Sequence, residues 1–255
     1  MQIAVGVAFA ALVAGLAYRT RALCASGAAA AFVVGATVFG SGGWRAAAVL
    51  FAFFLPSTLL THIGRARKRA IARAHGEASR NGWQVFANGG VAAVCALLST
   101  HGNAPFAAAF AGAFAAASAD TWGTEIGTLS PTGPVSILTL RPLPAGSSGG
   151  VTPLGLIATL AGALCVAATA AVVGIAPLWR VAIGGVIGAV FDSILGASVQ
   201  ALRWCELCAC ECETRRHDCG APTVLRRGLG WIENDAVNFA ATLCGALVAA
   251  LTASL

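Results

Sequence analysis

The chain has 255 residues, of which 58% are hydrophobic and 10% charged, with a mean hydropathy of +0.80. A soluble domain of this size carries roughly 25% charged residues, so the composition excludes a water-soluble globular protein and indicates an integral membrane chain. The net charge of +6 lies in the segments between apolar runs and needs no nucleic acid to explain it.

Eight apolar runs are predicted as spans, at about 2–18, 23–43, 46–63, 84–99, 104–120, 154–176, 179–201 and 236–254. Each is near the roughly 20 residues that cross a bilayer. The first lacks a basic leader and is followed by Arg19 and Arg21, so it reads as a helix and not as a signal peptide. Alanine and glycine dominate the runs, which suits close helix packing in lipid and leaves a count of seven or eight. The expected fold is all-α: one polytopic bundle over 1–255, with a Cys-rich loop at 202–235.

Alternate segments 19–22, 64–83, 121–153 and 202–235 hold two, six, one and five of the 16 Lys and Arg residues. The positive-inside rule places these four segments in the cytoplasm and both termini outside. The basic run at 65–73 reads as this topology signal plus contact with lipid headgroups.

Polar residues converge on that face. A charge-free stretch at 81–119 ends at Asp120, within Ser118-Ala119-Asp120-Thr121-Trp122-Gly123-Thr124-Glu125-Ile126-Gly127. Ionisable groups at membrane helices are costly and mark function by default. Asp192 and Asp235 fall on the same side, as do Ser57, Thr58 and His62 of the third run and Asn81, Gln84 and Asn88 of the fourth. Interhelical hydrogen bonds account for an isolated Ser or Thr. They do not account for three carboxylates without nearby bases, which point to a divalent cation of the Mg2+ type.

The segment Arg141-Pro142-Leu143-Pro144-Ala145-Gly146-Ser147-Ser148-Gly149-Gly150-Val151 precedes the sixth run. Such a loop makes a plain turn, or it cradles phosphate through backbone N–H groups at a helix start. Beside an acidic cluster the second reading is preferred. Five cysteines, Cys205, Cys208, Cys210, Cys212 and Cys219, cluster with His217. Cys205-x2-Cys208 followed by His217-x-Cys219 has the form of a small structural Zn2+ knuckle, with Cys210 and Cys212 as substitutes. Four protein ligands leave no open position for catalysis. Asn234 and Asp235 suit an N-cap of the last helix, yet Asn238 on the same face adds more polarity than a cap requires. Trp231 fits a membrane interface.

In order, these strings resemble the integral-membrane domain-of-unknown-function family 92, which includes transmembrane protein nineteen and phytyl-phosphate kinases. The matching pieces are Gln84-Val85-Phe86-Ala87-Asn88-Gly89, Ala119-Asp120-Thr121 through Glu125-Ile126-Gly127, Ser148-Gly149-Gly150-Val151, Asp192-Ser193-Ile194-Leu195-Gly196-Ala197 with Gln200, the Cys205/Cys208 loop, and Trp231 with Asn234-Asp235 and Asn238. The family is also distantly similar to CTP-dependent polyprenol kinases. Here Ala119 replaces the glycine before the acidic residue, and Arg141-Pro142 stands where a lysine is expected.

The resemblance implies a membrane kinase that transfers a phosphoryl group from CTP, or another nucleoside triphosphate, to an isoprenoid monophosphate dissolved in the bilayer. On that reading Asp120, Asp192 and Glu125 hold Mg2+, while Arg141 and the loop Gly146, Ser147, Ser148, Gly149 and Gly150 bind phosphate. Asn88, Asn234 and Asp235 join the catalytic set, and Thr121, Ser193 and Asn238 contact the nucleotide. The alternatives are a cation- or proton-coupled transporter or flippase using Asp120 and Asp192, for which no internal repeat is evident, and a non-catalytic scaffold.

Overall fold

The run richest in small residues becomes the centre of the molecule. In a computed structural model, which describes residues 2–72, 80–100 and 102–252, residues 108–119 of helix α5 (Ala104–Gly127) are all buried. Alanine and glycine present little bulk in any direction, so α5 can be surrounded, and it packs on α4 (Gly82–Ser99), α6 (Pro153–Val172), α7 (Leu178–Ser198), α8 (Asn234–Leu251) and α2 (Ala25–Leu60). The outermost helix, α1 (Gln2–Arg19), packs on α2. A short basic helix, α3 (Arg65–Ala72), completes the set. Arg73 of the basic run and residues 253–254 of the last predicted span lie outside the described residues.

Among the described residues, five helices, α2, α4, α6, α7 and α8, are long and apolar enough to cross a membrane. The predicted spans 23–43 and 46–63 are the two arms of α2, which breaks at Gly43 with φ 61° and ψ −151°, a conformation open to glycine. The fifth helix departs from expectation at its end. It runs seven residues beyond the predicted stop at 120, so Thr121 to Gly127 are helical.

Close approach of backbones holds the centre. A Cβ on Gly112 would lie 2.5 Å from Ala249 Cβ, one on Gly188 2.6 Å from Ala116 Cβ, and one on Gly245 2.7 Å from Ala116 Cβ. These glycines let α5, α7 and α8 meet at van der Waals distance, the main source of helix association in lipid. Gly188→Val should therefore cost about 1–3 kcal/mol of stability through overpacking, read as a lower unfolding midpoint in detergent, whereas Gly133→Ala, with open space around it, should not.

Two small sheets occupy one end of the bundle. Strand β1 (Val135–Ser136) pairs antiparallel with β2 (Gly150–Val151), tying the two ends of the loop between α5 and α6 together. A three-stranded antiparallel sheet, order β4-β3-β5, forms from β3 (Leu202–Cys205), β4 (Cys210–Cys212) and β5 (Val224–Arg227). Arg226 stacks over the Trp204 ring at 3.9 Å across β3 and β5, a cation–π contact that adds to the ladder.

Candidate functional site

The same end of the bundle holds a cleft of about 880 Å³ with polar walls. Each wall is a helix end or a loop positioned by the packing above. The last two turns of α5 bring Asp120, Thr121 and Glu125; α7 brings Asp192 and Ser193; the first turns of α8 bring Asn234, Asp235 and Asn238. Asn88 of α4 faces them, and the segment from Gly146 to Gly150 closes another side. Thus fourteen of the fifteen catalytic or nucleotide-contacting residues expected from the sequence line one space. Arg141 is the exception. It is exposed and outside the cleft wall, because its strand-like neighbours point it away while its carbonyl accepts from Ser136 N at 2.9 Å. Ser57 is buried in the bundle away from the cleft, and His62 is exposed.

The glycine-serine loop is pressed onto α7. Gly149 has φ 75°, and a Cβ there would collide with Ala197, so glycine is required for that contact. Thr152 caps α6, its Oγ1 accepting from Gly155 N at 3.0 Å. On the opposite wall, Asn81 and Gln84 form a reciprocal capping box at the start of α4, with Gln84 N donating to Asn81 Oδ1 at 3.1 Å and Asn81 N to Gln84 Oε1 at 2.9 Å. These two residues are explained by the helix start. The opposite holds at α8. Its N-cap is Glu233, without a side-chain cap bond, so neither Asn234 nor Asp235 serves as the expected cap.

The acids divide into paired and unpaired groups. Glu125 accepts an ion pair from Lys68 Nζ at 2.6 Å, and Glu233 from Arg215 Nε at 2.6 Å. The basic run therefore does more than set topology: Lys68 neutralises Glu125, a carboxylate expected to hold Mg2+, and Arg67 Nη2 donates to Ser130 O at 2.6 Å. Asp120 and Asp192 have no ion-paired base among the described residues. Asp192 lies within electrostatic reach of Asp120 and of Glu213, and its Oδ2 is buried with no hydrogen-bond partner. A buried, orphaned carboxylate oxygen beside other carboxylates is costly, and this donor set fits a hard divalent cation. Three such acids do not converge tightly: among the described residues, only a Cys–His set forms a ligand group within 4.8 Å. Mg2+ is commonly bound through one or two carboxylates, with phosphate oxygens and water completing its shell.

Glu213 was not singled out in the sequence, where it is one of several acids around the cysteines. It donates nothing but accepts from Ser148 Oγ and, at 3.0 Å, from Gln200 Nε2, which also donates to Ser148 Oγ at 2.9 Å. One carboxylate thus ties the Cys-rich sheet to the glycine-serine loop and to the end of α7. In the sequence Arg80 is one of six bases in the segment 64–83 and carries no signal beyond topology. It lines the cleft, and burial draws its guanidinium below the ordinary value while the charge of Glu125 pulls it back up.

At the outer side of the sheet, Cys205, Cys208, His217 and Cys219 bring their ligand atoms within 4.8 Å of one another. Cys205 Sγ lies 3.6 Å from Cys219 Sγ, and His217 Nδ1 lies 3.3 Å from Cys219 Sγ. A zinc tetrahedron with bonds of about 2.3 Å to sulfur and 2.0–2.1 Å to nitrogen has edges of roughly 3.5–3.8 Å, so the four groups fit that ion. Hydrogen bonds from the Ala221 backbone and His217 hold the Cys219 thiol down to about 6, while bonding to Cys219 pushes Cys208 up to about 12. Protons shared unevenly among clustered thiols are those a metal displaces. Cys210 sits beside His217 Nε2 at 3.6 Å, and Cys212 is buried against Thr214 O; neither joins the set of four.

Residues 8–246 match the family model described as integral membrane protein DUF92. The chain is 31% identical to Protein PGR of Arabidopsis thaliana over 91% of its own length and 89% of the relative's. It is 26% identical to an uncharacterized membrane protein of Synechocystis, over 86% of this chain and 78% of that one. A third relative, an uncharacterized membrane protein of Methanocaldococcus jannaschii, is 24% identical over 91% and 87%. No solved structure matches the chain. A family match across nearly the whole bundle, together with a relative 31% identical over 91% of this chain, makes this chain a member of the DUF92 family of integral membrane proteins.

Proposed function

We propose that the protein is a membrane-embedded phosphotransferase, moving the terminal phosphoryl group of a nucleoside triphosphate, CTP in the first instance, onto an isoprenoid monophosphate to give the diphosphate. The observation that carries the reading is the orphaned Asp192 Oδ2 beside Asp120, facing a glycine-serine loop across a cleft of nucleotide-plus-headgroup size. The cleft opens at one end of an apolar bundle, where a water-borne nucleotide and a lipid-borne acceptor can meet. The basic segments at that end favour its facing the cytoplasm.

Phosphoryl transfer depends on positioning and charge neutralisation more than on covalent work by the protein. An acceptor phosphate oxygen attacks the terminal phosphorus, the bond from that phosphorus to its bridging oxygen breaks, and the nucleoside diphosphate leaves with the electron pair. The acceptor is already anionic, so no base has to remove a proton. Asp120 and Asp192 would hold Mg2+, which when bound neutralises the phosphate oxygens of the donor. Ser147 N and Gly150 N are spent on the turns of the loop, on Pro144 O and Ser147 O, so the backbone N–H groups of Gly146, Ser148 and Gly149 bind donor phosphate, and Asn88, Asn234 and Asn238 orient oxygens around it. Glu125, already held by Lys68, sets the electrostatics of the wall and is not assigned to the metal. The coupled-transporter alternative would place its acids near mid-membrane, whereas Asp120 lies two turns from the end of α5 and Asp192 less than two turns from the end of α7.

The test is CDP release from purified protein given Mg2+, CTP and geranylgeranyl or phytyl monophosphate, with EDTA as the control that should silence it. Absence of Mg2+-dependent turnover across a panel of nucleotides and prenyl phosphates would remove the kinase reading. Within such an assay Arg141→Ala should change turnover less than about twofold, as expected for an exposed surface residue, whereas loss comparable to a cleft variant would return Arg141 to the site.

A further inference from the structure

A second cavity, almost wholly apolar, lies between α1, α2 and α4. Its volume of about 120 Å³ admits about four water-sized groups, or the four to five carbons of about one isoprene unit. The α1 wall is built of small residues at Gly6, Ala10, Ala14 and Ala17, and the opposite wall carries phenylalanines of α2. From Gly6 to Ala17 the groove follows α1 for about 16 Å, roughly half the hydrocarbon core of a bilayer. It exists because α1 packs on α2 and leaves a seam toward α4.

The groove and the polar cleft share three residues: Arg80, Gln84 and Asn88. Gln84 is occupied by the α4 capping box, and Asn88 Nδ2 donates to Gln84 O at 2.9 Å. That leaves the Arg80 guanidinium, which has no hydrogen-bonded or ion-paired partner among the described residues; Lys68 takes Glu125 instead. The Arg80 backbone is fixed, with Cys24 N donating to its carbonyl at 3.1 Å and its own N–H donating to Ala22 O at 3.3 Å. A cation with five donors is thus held where an apolar slot meets an acidic cleft.

We propose that this groove binds the proximal part of a single prenyl chain, with Arg80 taking the phosphomonoester at its head. The assignment deepens the kinase reading and rests on its phosphate-handling cleft. Charge complementarity selects the occupant. A guanidinium pairs two oxygens of a terminal phosphate in fork geometry. A bilayer phospholipid brings two chains, more bulk than the slot holds, and an anion masked by its ester. The acidic residues beyond Arg80 repel an anionic head that travels further without a compensating cation, so the head stops at the junction, with its free oxygen toward the cleft.

Photo-cross-linking tests this without nucleotide. Purified protein in nanodiscs receives geranylgeranyl phosphate carrying a diazirine on its first isoprene unit, and labelled peptides are mapped. Labels should concentrate on groove-facing residues of α1 and α2, such as Val13 and Phe51. Unlabelled geranylgeranyl phosphate should compete, while phosphatidic acid and inorganic phosphate should not. Arg80→Gln should weaken labelling about tenfold, as loss of a charge-assisted pair does, with Arg80→Lys recovering part of it. Ala31→Phe, which fills the slot beside its mouth, should do the same without touching Arg80. Uniform labelling over the lipid-facing surface, or equal competition by phosphatidic acid, overturns the groove. Specific labelling without CDP release would instead sink the kinase reading and leave the groove standing. CDP release without groove labels would do the reverse.

Discussion

Replacing Asp120 or Asp192 with Asn should lower Mg2+-dependent turnover by at least about 100-fold, the scale on which a transition-state charge partner is lost. The expectation has a second half that separates chemistry from folding. Asp192 lies within electrostatic reach of both Asp120 and Glu213, with no ion-paired base on either aspartate among the described residues, so these charges add repulsion to the metal-free fold. Removing one charge should leave the unfolding midpoint unchanged or raise it, as functional sites commonly trade stability for activity. Mg2+ should stabilise the native protein through preferential binding and should lose that effect in either variant. An Asp192→Asn protein that turns over normally, or that remains stabilised by Mg2+, would exclude the metal role. A variant that simply fails to fold would be seen as a lowered midpoint, opposite in sign to the expectation.

The architecture was legible because the bilayer imposes one rule on every span: about 20 apolar residues between charged segments. Asp120 and Asp192 stood out against that background for the same reason. Legibility ended where tertiary packing decides. Thr121 to Gly127 contain two glycines and three polar residues, the composition of a loop. They stay helical because α5 lies on α6, with a Cβ on Gly127 only 3.3 Å from Gly155 Cα, and packing overrides propensity. That extension turns Glu125 toward Lys68, a partner 57 positions away that no local pattern announces. Arg141 failed in the other direction. As the lone base of a long loop it invited a role, but the β1–β2 pairing that shapes the loop carries it outward. Glu213 gave no signal at all, since its reach to Ser148 and Gln200 depends on how a small sheet docks.

That docking makes the Cys–His cluster the second large lever on the cleft. In the proposal zinc is structural, and it sits at the β3–β4 turn, while the far end of β4 leads into Glu213. Cys205 ends β3, Cys208 lies in the turn, and β4 returns the chain to Cys212, one residue before Glu213. His217 and Cys219 reach back from the following loop to close the ring. A three-stranded sheet of strands this short is not stable alone, and a metal clip supplies the missing folding energy. Double substitution Cys205→Ser with Cys208→Ser should therefore release about one zinc per chain, counted by metal analysis. Helical circular dichroism of the bundle should persist, because α5 to α8 pack through glycine contacts the sheet does not touch. Turnover should nevertheless fall about 10–100-fold, the range seen when outer partners of a metal site are lost. Glu213→Gln should reproduce the fall in turnover while keeping the zinc, and Cys210→Ser should keep both. If the double serine variant is metal-free yet fully active, the sheet holds itself and the zinc assignment goes. If it loses zinc and activity while Glu213→Gln loses neither, the coupling from knuckle to cleft runs through some route other than the Glu213–Ser148 bond.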